Sequence, residues 1–130
     1  MTETTDLEGH CLCGQVRIQL NDVNPGVGVC HCNICRRWTG GPFLSVDAGG
    51  NLDVQGEDSV GIFNSSDWAE RAFCKHCGTH LFYRLKGKND HFVLAGLFDK
   101  HIALNLEREI FIDEKPAYYS FAEDTRQLTG

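Results

Sequence analysis

No apolar run in this 130-residue chain approaches the ~20 residues that a helix needs to cross a bilayer, which excludes a helical membrane span. The opening residues, Met1-Thr-Glu-Thr-Thr-Asp6, lack the basic and apolar parts of a secretory signal. A cytoplasmic protein without membrane attachment is expected. Positive charge is scarce as well: 12 Lys and Arg stand against 18 Asp and Glu, a formal net charge of -6. A duplex nucleic-acid binder needs a clustered positive footprint, so nucleic acid is not an expected partner. Internal repeats, low-complexity tracts and linker-like stretches are missing, and helical patterns are few. Cysteine is confined to three short stretches and absent from everything between them.

What remains is a chain patterned for strands. The hydrophobic fraction of 42% is ordinary for a packed core, and the length suits one domain spanning residues 1–130. A domain of this size gains from the cross-links a metal can supply. Gln15-Val-Arg-Ile-Gln-Leu20 alternates polar with apolar, as a half-buried antiparallel strand should. Phe43–Val46, Val60–Phe63, His80–Arg84, His91–Ala95 and Glu109–Ile112 read as further short strands, separated by turn signals such as Asn24-Pro-Gly26 and Gly40-Gly-Pro42. Helix is expected only as a turn or so beginning at Cys35-Arg-Arg-Trp38, and near Pro116–Phe121, where Pro116 suits a first helical position. The expected fold is mainly β, built of short antiparallel sheets stapled by metal.

Seven cysteines, an odd number, cannot all be consumed by disulfides. They fall as Cys11-Leu-Cys13, Cys30-His-Cys32-Asn-Ile-Cys35 and Cys74-Lys-His-Cys77. One or two residues between sulfurs suit convergence on one metal ion, and a reducing compartment keeps thiols available for it. Four thiolates close a structural zinc site, whereas three leave a coordination position open for chemistry. In Cys74-Lys-His-Cys77-Gly78 a tight turn brings both sulfurs onto one ion, and Gly78 permits the positive φ that ends such a turn. In Cys11-Leu-Cys13-Gly14 the two sulfurs share one face of an extended chain that Gly14 lets bend. Joined, these half-sites make a four-sulfur clamp, and Cys30, Cys32 and Cys35 form a self-sufficient tripod. The spacing also allows Cys30 and Cys32 to join Cys74 and Cys77. The tripod leaves no stray thiol in the second cluster and is preferred.

The segments Gly9-His-Cys-Leu-Cys-Gly14, Cys30-His-Cys-Asn-Ile-Cys-Arg-Arg-Trp-Thr-Gly40 and Arg71-Ala-Phe-Cys-Lys-His-Cys-Gly78, in this order, resemble the glutathione-dependent formaldehyde-activating enzyme and centromere protein V family. The resemblance runs from about Gly9 to Tyr118. It implies a zinc-binding, mainly-β, Mss4-like fold with Cys11, Cys13, Cys74 and Cys77 on a structural zinc. It also implies a second, catalytic zinc on Cys30, Cys32 and Cys35. The implied activity is that of a carbon–sulfur lyase, condensing glutathione or another small thiol with formaldehyde or a similar small aldehyde. The chain is shorter than the formaldehyde-activating enzymes proper.

The same chemistry is readable from the tripod. Zinc at an open three-thiolate site lowers the pKa of an incoming thiol, and the resulting thiolate can attack a small carbonyl carbon. Three sulfur ligands make a weak Lewis acid, which argues against a hydrolase. One zinc is expected to be tightly held and the other labile. Arg36 and Arg37 are candidate anchors for substrate carboxylates, since a guanidinium forks onto a carboxylate, and Trp38 is a candidate pocket wall. The alternatives are two solvated arginines and a core tryptophan. His31 could ligate or carry protons, but a ligand's neighbour normally points away, and that reading is preferred. His10, His76 and His80 sit where they could support ligands, though most histidines so placed are surface or packing residues. Tyr118-Tyr119 either overhang the second zinc or seal a sheet edge. A non-catalytic zinc module for a protein or small-molecule partner is the alternative function.

Overall fold

Alternation at the start of the chain builds a small antiparallel sheet of β1 (Thr5–His10), β2 (Arg17–Val23) and β5 (Leu52–Gln55), with β2 central. The structure, a computed structural model, describes residues 4–99 and 104–130. The second sheet has eight strands. In chain order these are β3 (Gly26–Cys30), β4 (Phe43–Gly49), β6 (Val60–Asn64), β7 (Ala69–Cys74), β8 (His80–Leu85), β9 (Asp90–Leu94), β10 (Asn105–Ile110) and β11 (Arg126–Gln127). Their spatial order is β11-β10-β3-β4-β9-β8-β7-β6. A short helix α1 (Asn33–Thr39) links β3 to β4.

The two sheets bury their apolar positions against each other. Leu7, Val16, Ile18 and Leu20 from the small sheet's side meet Val46, Ala72, Leu81 and Val93 of the large one, each nearly inaccessible. Cys11 and Cys74 belong to this core. A second apolar cluster gathers Cys30, Cys35 and Phe43, flanked by Trp38, Tyr83 and Phe92. Each cysteine group is thus seated in one of two buried clusters.

The six strands expected from periodicity are present, with shifted ends: the Gln15–Leu20 pattern becomes Arg17–Val23, and the Glu109–Ile112 pattern overlaps Asn105–Ile110 only at Glu109 and Ile110. β3 escapes a period-two reading because all five of its residues are buried, leaving no polar face to alternate. It pairs in parallel with β10, which also pairs in parallel with β11, so the large sheet is mixed rather than purely antiparallel. Helix α1 starts two residues before Cys35, because the Cys32 sulfur caps it by accepting from the Cys35 N–H. The helix expected near Pro116–Phe121 is not formed. A 3-10 turn at Ile112–Glu114 precedes this segment, which holds only a turn at Ala117 and Tyr118. Six residues are too few to sustain a helix unaided, and Tyr119 is drawn into a side-chain hydrogen bond instead.

Gly9 of β1 forms an isolated bridge to Phe98, just past the 3-10 turn Ala95–Leu97 that follows β9; a β-carbon there would lie 2.1 Å from the Leu97 carbonyl oxygen. Only glycine lets the backbones approach so far. Gly9→Ala should therefore destabilise the fold by about 1–3 kcal/mol, read as a lower urea midpoint, because the obstructing atom is backbone and cannot swing away. An unchanged midpoint would contradict this contact.

Candidate metal centres and the cleft beside them

The first centre is assembled by the end of β1 and the end of β7. Cys11 follows β1, Cys74 closes β7, and Gly14 and Gly78 both take the positive φ, 83° and 76°, that turns the chain after each pair. The Cys74–Cys77 turn is closed by the Gly78 N–H donating to the Cys74 carbonyl at 2.8 Å. The Cys11 and Cys13 sulfurs lie 3.6 Å apart, those of Cys13 and Cys74 3.7 Å, and all four sulfurs fall within 4.8 Å of one another. A tetrahedron with metal–sulfur bonds of ~2.3 Å has edges of about 3.8 Å, so this donor set fits one zinc ion. Surrounding groups favour thiolate. The Val16 N–H points at the Cys11 sulfur at 3.3 Å, and Thr79, which accepts from the Leu12 N–H, reaches the Cys77 sulfur at 3.1 Å. The Thr79 hydroxyl, followed by its backbone N–H, pulls the Cys77 thiol down to about 5.

The second centre needs no distant partner. Cys30 ends β3, Cys32 caps α1, and Cys35 lies on its first turn, placing three sulfurs within 4.8 Å of each other. Cys30 and Cys35 are buried, while Cys32 is half-exposed. Hydrogen bonds from the Cys30 and Cys35 thiols pull Cys32 down to about 2, and the Cys30 thiol is pushed far up in return. One sulfur is thus held as thiolate by its neighbours' protons, an arrangement that a cation can take over.

A cation already faces this group. Arg71, on β7 and 5% exposed, places two guanidinium nitrogens 3.6 and 3.7 Å from the Cys35 sulfur. Its guanidinium lies between the Trp38 ring, at 4.9 Å, and the Tyr83 ring, at 5.1 Å. Such a desolvated charge is held by the Cys35 sulfur on one side and aromatic faces on the others. Its Nε is buried without a hydrogen-bond partner. Trp38 in turn stacks on His80 at 4.4 Å, where burial and then Arg71 lower the imidazole pKa.

The tripod opens onto a cleft of about 460 Å³, lined by all three sulfurs, Arg71 and Tyr83, with Ile34, Trp68, Leu85 and Phe111 among its apolar walls. Phe111 adopts a left-handed φ of 54°, uncommon for a bulky residue, where the chain leaves β10 beside the cleft. A neighbouring groove of about 290 Å³ carries Arg37, Trp38 and Phe63.

The four clamp cysteines and the three tripod cysteines are brought together as expected. Arg37 and Trp38 line the groove, whereas Arg36 uses its Nε to hold the His31 carbonyl at 2.9 Å. His31 is fully buried with both ring nitrogens engaged, Nε2 at 2.7 Å from Glu109 and Nδ1 at 2.7 Å from the Tyr119 hydroxyl. His10 and His76 bond to the Cys11 carbonyl and to Ser59. Tyr118 is 73% exposed. Tyr119, read from sequence as overhanging the second zinc or sealing a sheet edge, instead bonds to His31, and Arg71 and Glu109 were not singled out as functional residues from sequence. Arg71 stood within the Arg71-Ala-Phe-Cys74 motif, and a charged residue sharing a strand face with Ala69 and Phe73, two positions to either side, was the available signal.

Two outcomes follow from this geometry. Cys77→Ser should abolish cooperative folding in the absence of excess metal, whereas Cys32→Ser should leave the far-UV circular dichroism near native, because only the first set ties distant strands together. Arg71→Met should weaken cobalt binding at the tripod ~10–100-fold, read from the thiolate charge-transfer bands, with the four-sulfur set unaffected. Equal weakening at both sets would contradict the placement of Arg71.

Comparison with known proteins agrees with the geometry. The model of the family described as glutathione-dependent formaldehyde-activating enzyme matches residues 6–114. An uncharacterized lyase of Schizosaccharomyces pombe is 36% identical over 125 residues, covering 95% of this chain and 91% of the relative. A Halomonas elongata protein provisionally named a glutathione-dependent formaldehyde-activating enzyme is 32% identical over 85 residues, covering 58% of this chain and 54% of that one. Among solved structures, a Rhodobacter sphaeroides protein shares the fold, with a TM-score of 0.62 at 22% identity over 72% of this chain and 88% of the other. With seven cysteines in two metal-ready sets and a family match across most of its length, the chain belongs to the glutathione-dependent formaldehyde-activating enzyme family.

Proposed function

We propose that the protein is a zinc-dependent carbon–sulfur lyase that joins a low-molecular-weight thiol, glutathione, to a small aldehyde, formaldehyde, and catalyses the reverse. The observation that carries this reading is the tripod: three sulfurs within 4.8 Å of one another, with the half-exposed Cys32 facing a cleft, in a chain of this family. Cys11, Cys13, Cys74 and Cys77 would hold a structural zinc, and Cys30, Cys32 and Cys35 a second one. Residues 1–130 would act as one domain, in the cytoplasm, where thiol substrates stay reduced.

The reaction needs no redox partner. The thiol sulfur bonds to the carbonyl carbon, the C=O π bond opens, and the oxygen receives the proton that the thiol gives up, yielding a hemithioacetal. Zinc held by Cys30, Cys32 and Cys35 would supply positive charge that favours a thiol in its reactive thiolate form. The chain's own residues set the surroundings. Arg71 offsets the tripod's negative charge from within the protein, so that a further sulfur anion meets less repulsion. The apolar cleft walls limit water at the reacting carbon. Arg37, in the adjoining groove, offers a guanidinium to a carboxylate of the thiol, and Trp38 forms part of the same wall.

Carbon-13 exchange NMR with labelled formaldehyde and glutathione tests this. The native, zinc-loaded protein should accelerate interconversion of aldehyde hydrate and adduct above the spontaneous rate, and Cys32→Ser should return it to background. No acceleration by the native protein would remove the proposed substrates.

A further inference from the structure

The family match ends at residue 114, yet the tripod is held from beyond that point. His31, between Cys30 and Cys32, is the middle of a buried chain of hydrogen bonds. Glu109, 3% exposed on β10, accepts from His31 Nε2 at 2.7 Å through one carboxylate oxygen and from the Thr125 hydroxyl at 2.5 Å through the other. With Nε2 donating, Nδ1 is the acceptor, and the Tyr119 hydroxyl donates to it at 2.7 Å. The order is therefore Tyr119 to His31 to Glu109, with Thr125 closing the far end. Each group is in the state its role requires. Burial alone would raise the Glu109 carboxyl, but hydrogen bonds from Thr125 and His31 outweigh it and keep it ionised, while burial raises the Tyr119 phenol and keeps its proton.

The backbone around the chain is fixed as well. The His31 N–H donates to the Ile110 carbonyl, its own carbonyl accepts from Arg36, and the tail is pinned by β11 and by the Leu128 N–H donating to the Glu109 carbonyl at 2.9 Å. Tyr119 also stacks on the His31 ring at 5.4 Å and carries Lys115 over its own face. Ligand and supporting residue share one three-residue stretch, so a shift of the His31 backbone, to which the anchored ring is tied, carries both neighbouring sulfurs with it.

We propose that the segment after residue 114 is part of the tripod's support, with Tyr119 and Thr125 acting as positioning residues that hold Cys30 and Cys32 in ligand geometry through His31 and Glu109. This rests on the reading that the tripod binds a metal ion. Groups that orient metal ligands from behind typically contribute ~10–100-fold in metal affinity, and a connected network loses more when broken at both ends than at either alone.

The test is cobalt titration of the full-length protein, following thiolate charge-transfer bands of the tripod and the four-sulfur set separately, with and without glutathione. Tyr119→Phe and Thr125→Val remove one hydroxyl each at nearly constant shape; Tyr118→Phe, at an exposed ring, is the control. Each of the first two should weaken the tripod at least tenfold while the four-sulfur set and circular dichroism hold at wild-type values, and the double variant should depart from additivity. Unchanged tripod affinity in both single variants overturns the proposal. So does equal weakening at both sets, which marks a general packing role. Failure of the wild-type tripod to take up cobalt instead removes the underlying metal reading, a result distinguishable from either.

Discussion

The rest of the structure depends on four thiols meeting within bonding distance of one point. Cys13 and Cys74 are 61 positions apart, yet their sulfurs lie 3.7 Å from each other at the seam where the small sheet meets the large one. Closing a loop of that length is costly in chain entropy, and an ion bound only by the closed form returns that cost as folding free energy. The seam is also where Cys11 and Cys74 enter the principal core, so an ion bound there would reinforce apolar burial.

The tripod is held differently. All three of its sulfurs come from six consecutive residues, so it contributes little to long-range order, and it opens on the cleft. Its difficulty is charge: three sulfurs crowd together, two of them buried. The fold answers with Arg71 from a neighbouring strand, itself desolvated and held by Trp38 and Tyr83. Behind the tripod, His31 and Glu109 hold the ligand loop with hydrogen bonds. On the proposed reading, function and stability are separated between two cysteine sets in one small fold.

Much of this was legible in the chain because cysteine spacing is a local signal. The two-residue and one-residue gaps identify half-sites without any knowledge of topology, and preferring a self-contained second cluster was enough to pair Cys11 and Cys13 with Cys74 and Cys77. Some strands with one wet face were legible too, β2 most plainly, whereas β1 and β5, which also alternate, were not. β3 was hidden because both its faces are covered, and the Pro116–Phe121 segment misled because local propensity was overridden by Tyr119 reaching His31. Arg71 was equally obscure: a lone arginine in a strand reads as solvated, and only the tertiary arrangement delivers it to Cys35, 36 positions away. Residues that act on a site through contacts distant in sequence leave no spacing to read.

The central claim is that one cysteine set is closed and the other completes its shell with a substrate sulfur. Zinc-edge X-ray absorption on protein carrying two zinc ions per chain tests it most directly. Without thiol, the average should be about 3.5 sulfurs per zinc with a light-atom contribution from the open position; with glutathione, it should rise to about 4 and the light atom should disappear. An average of four sulfurs before thiol is added, or a count that glutathione does not change, would contradict the account.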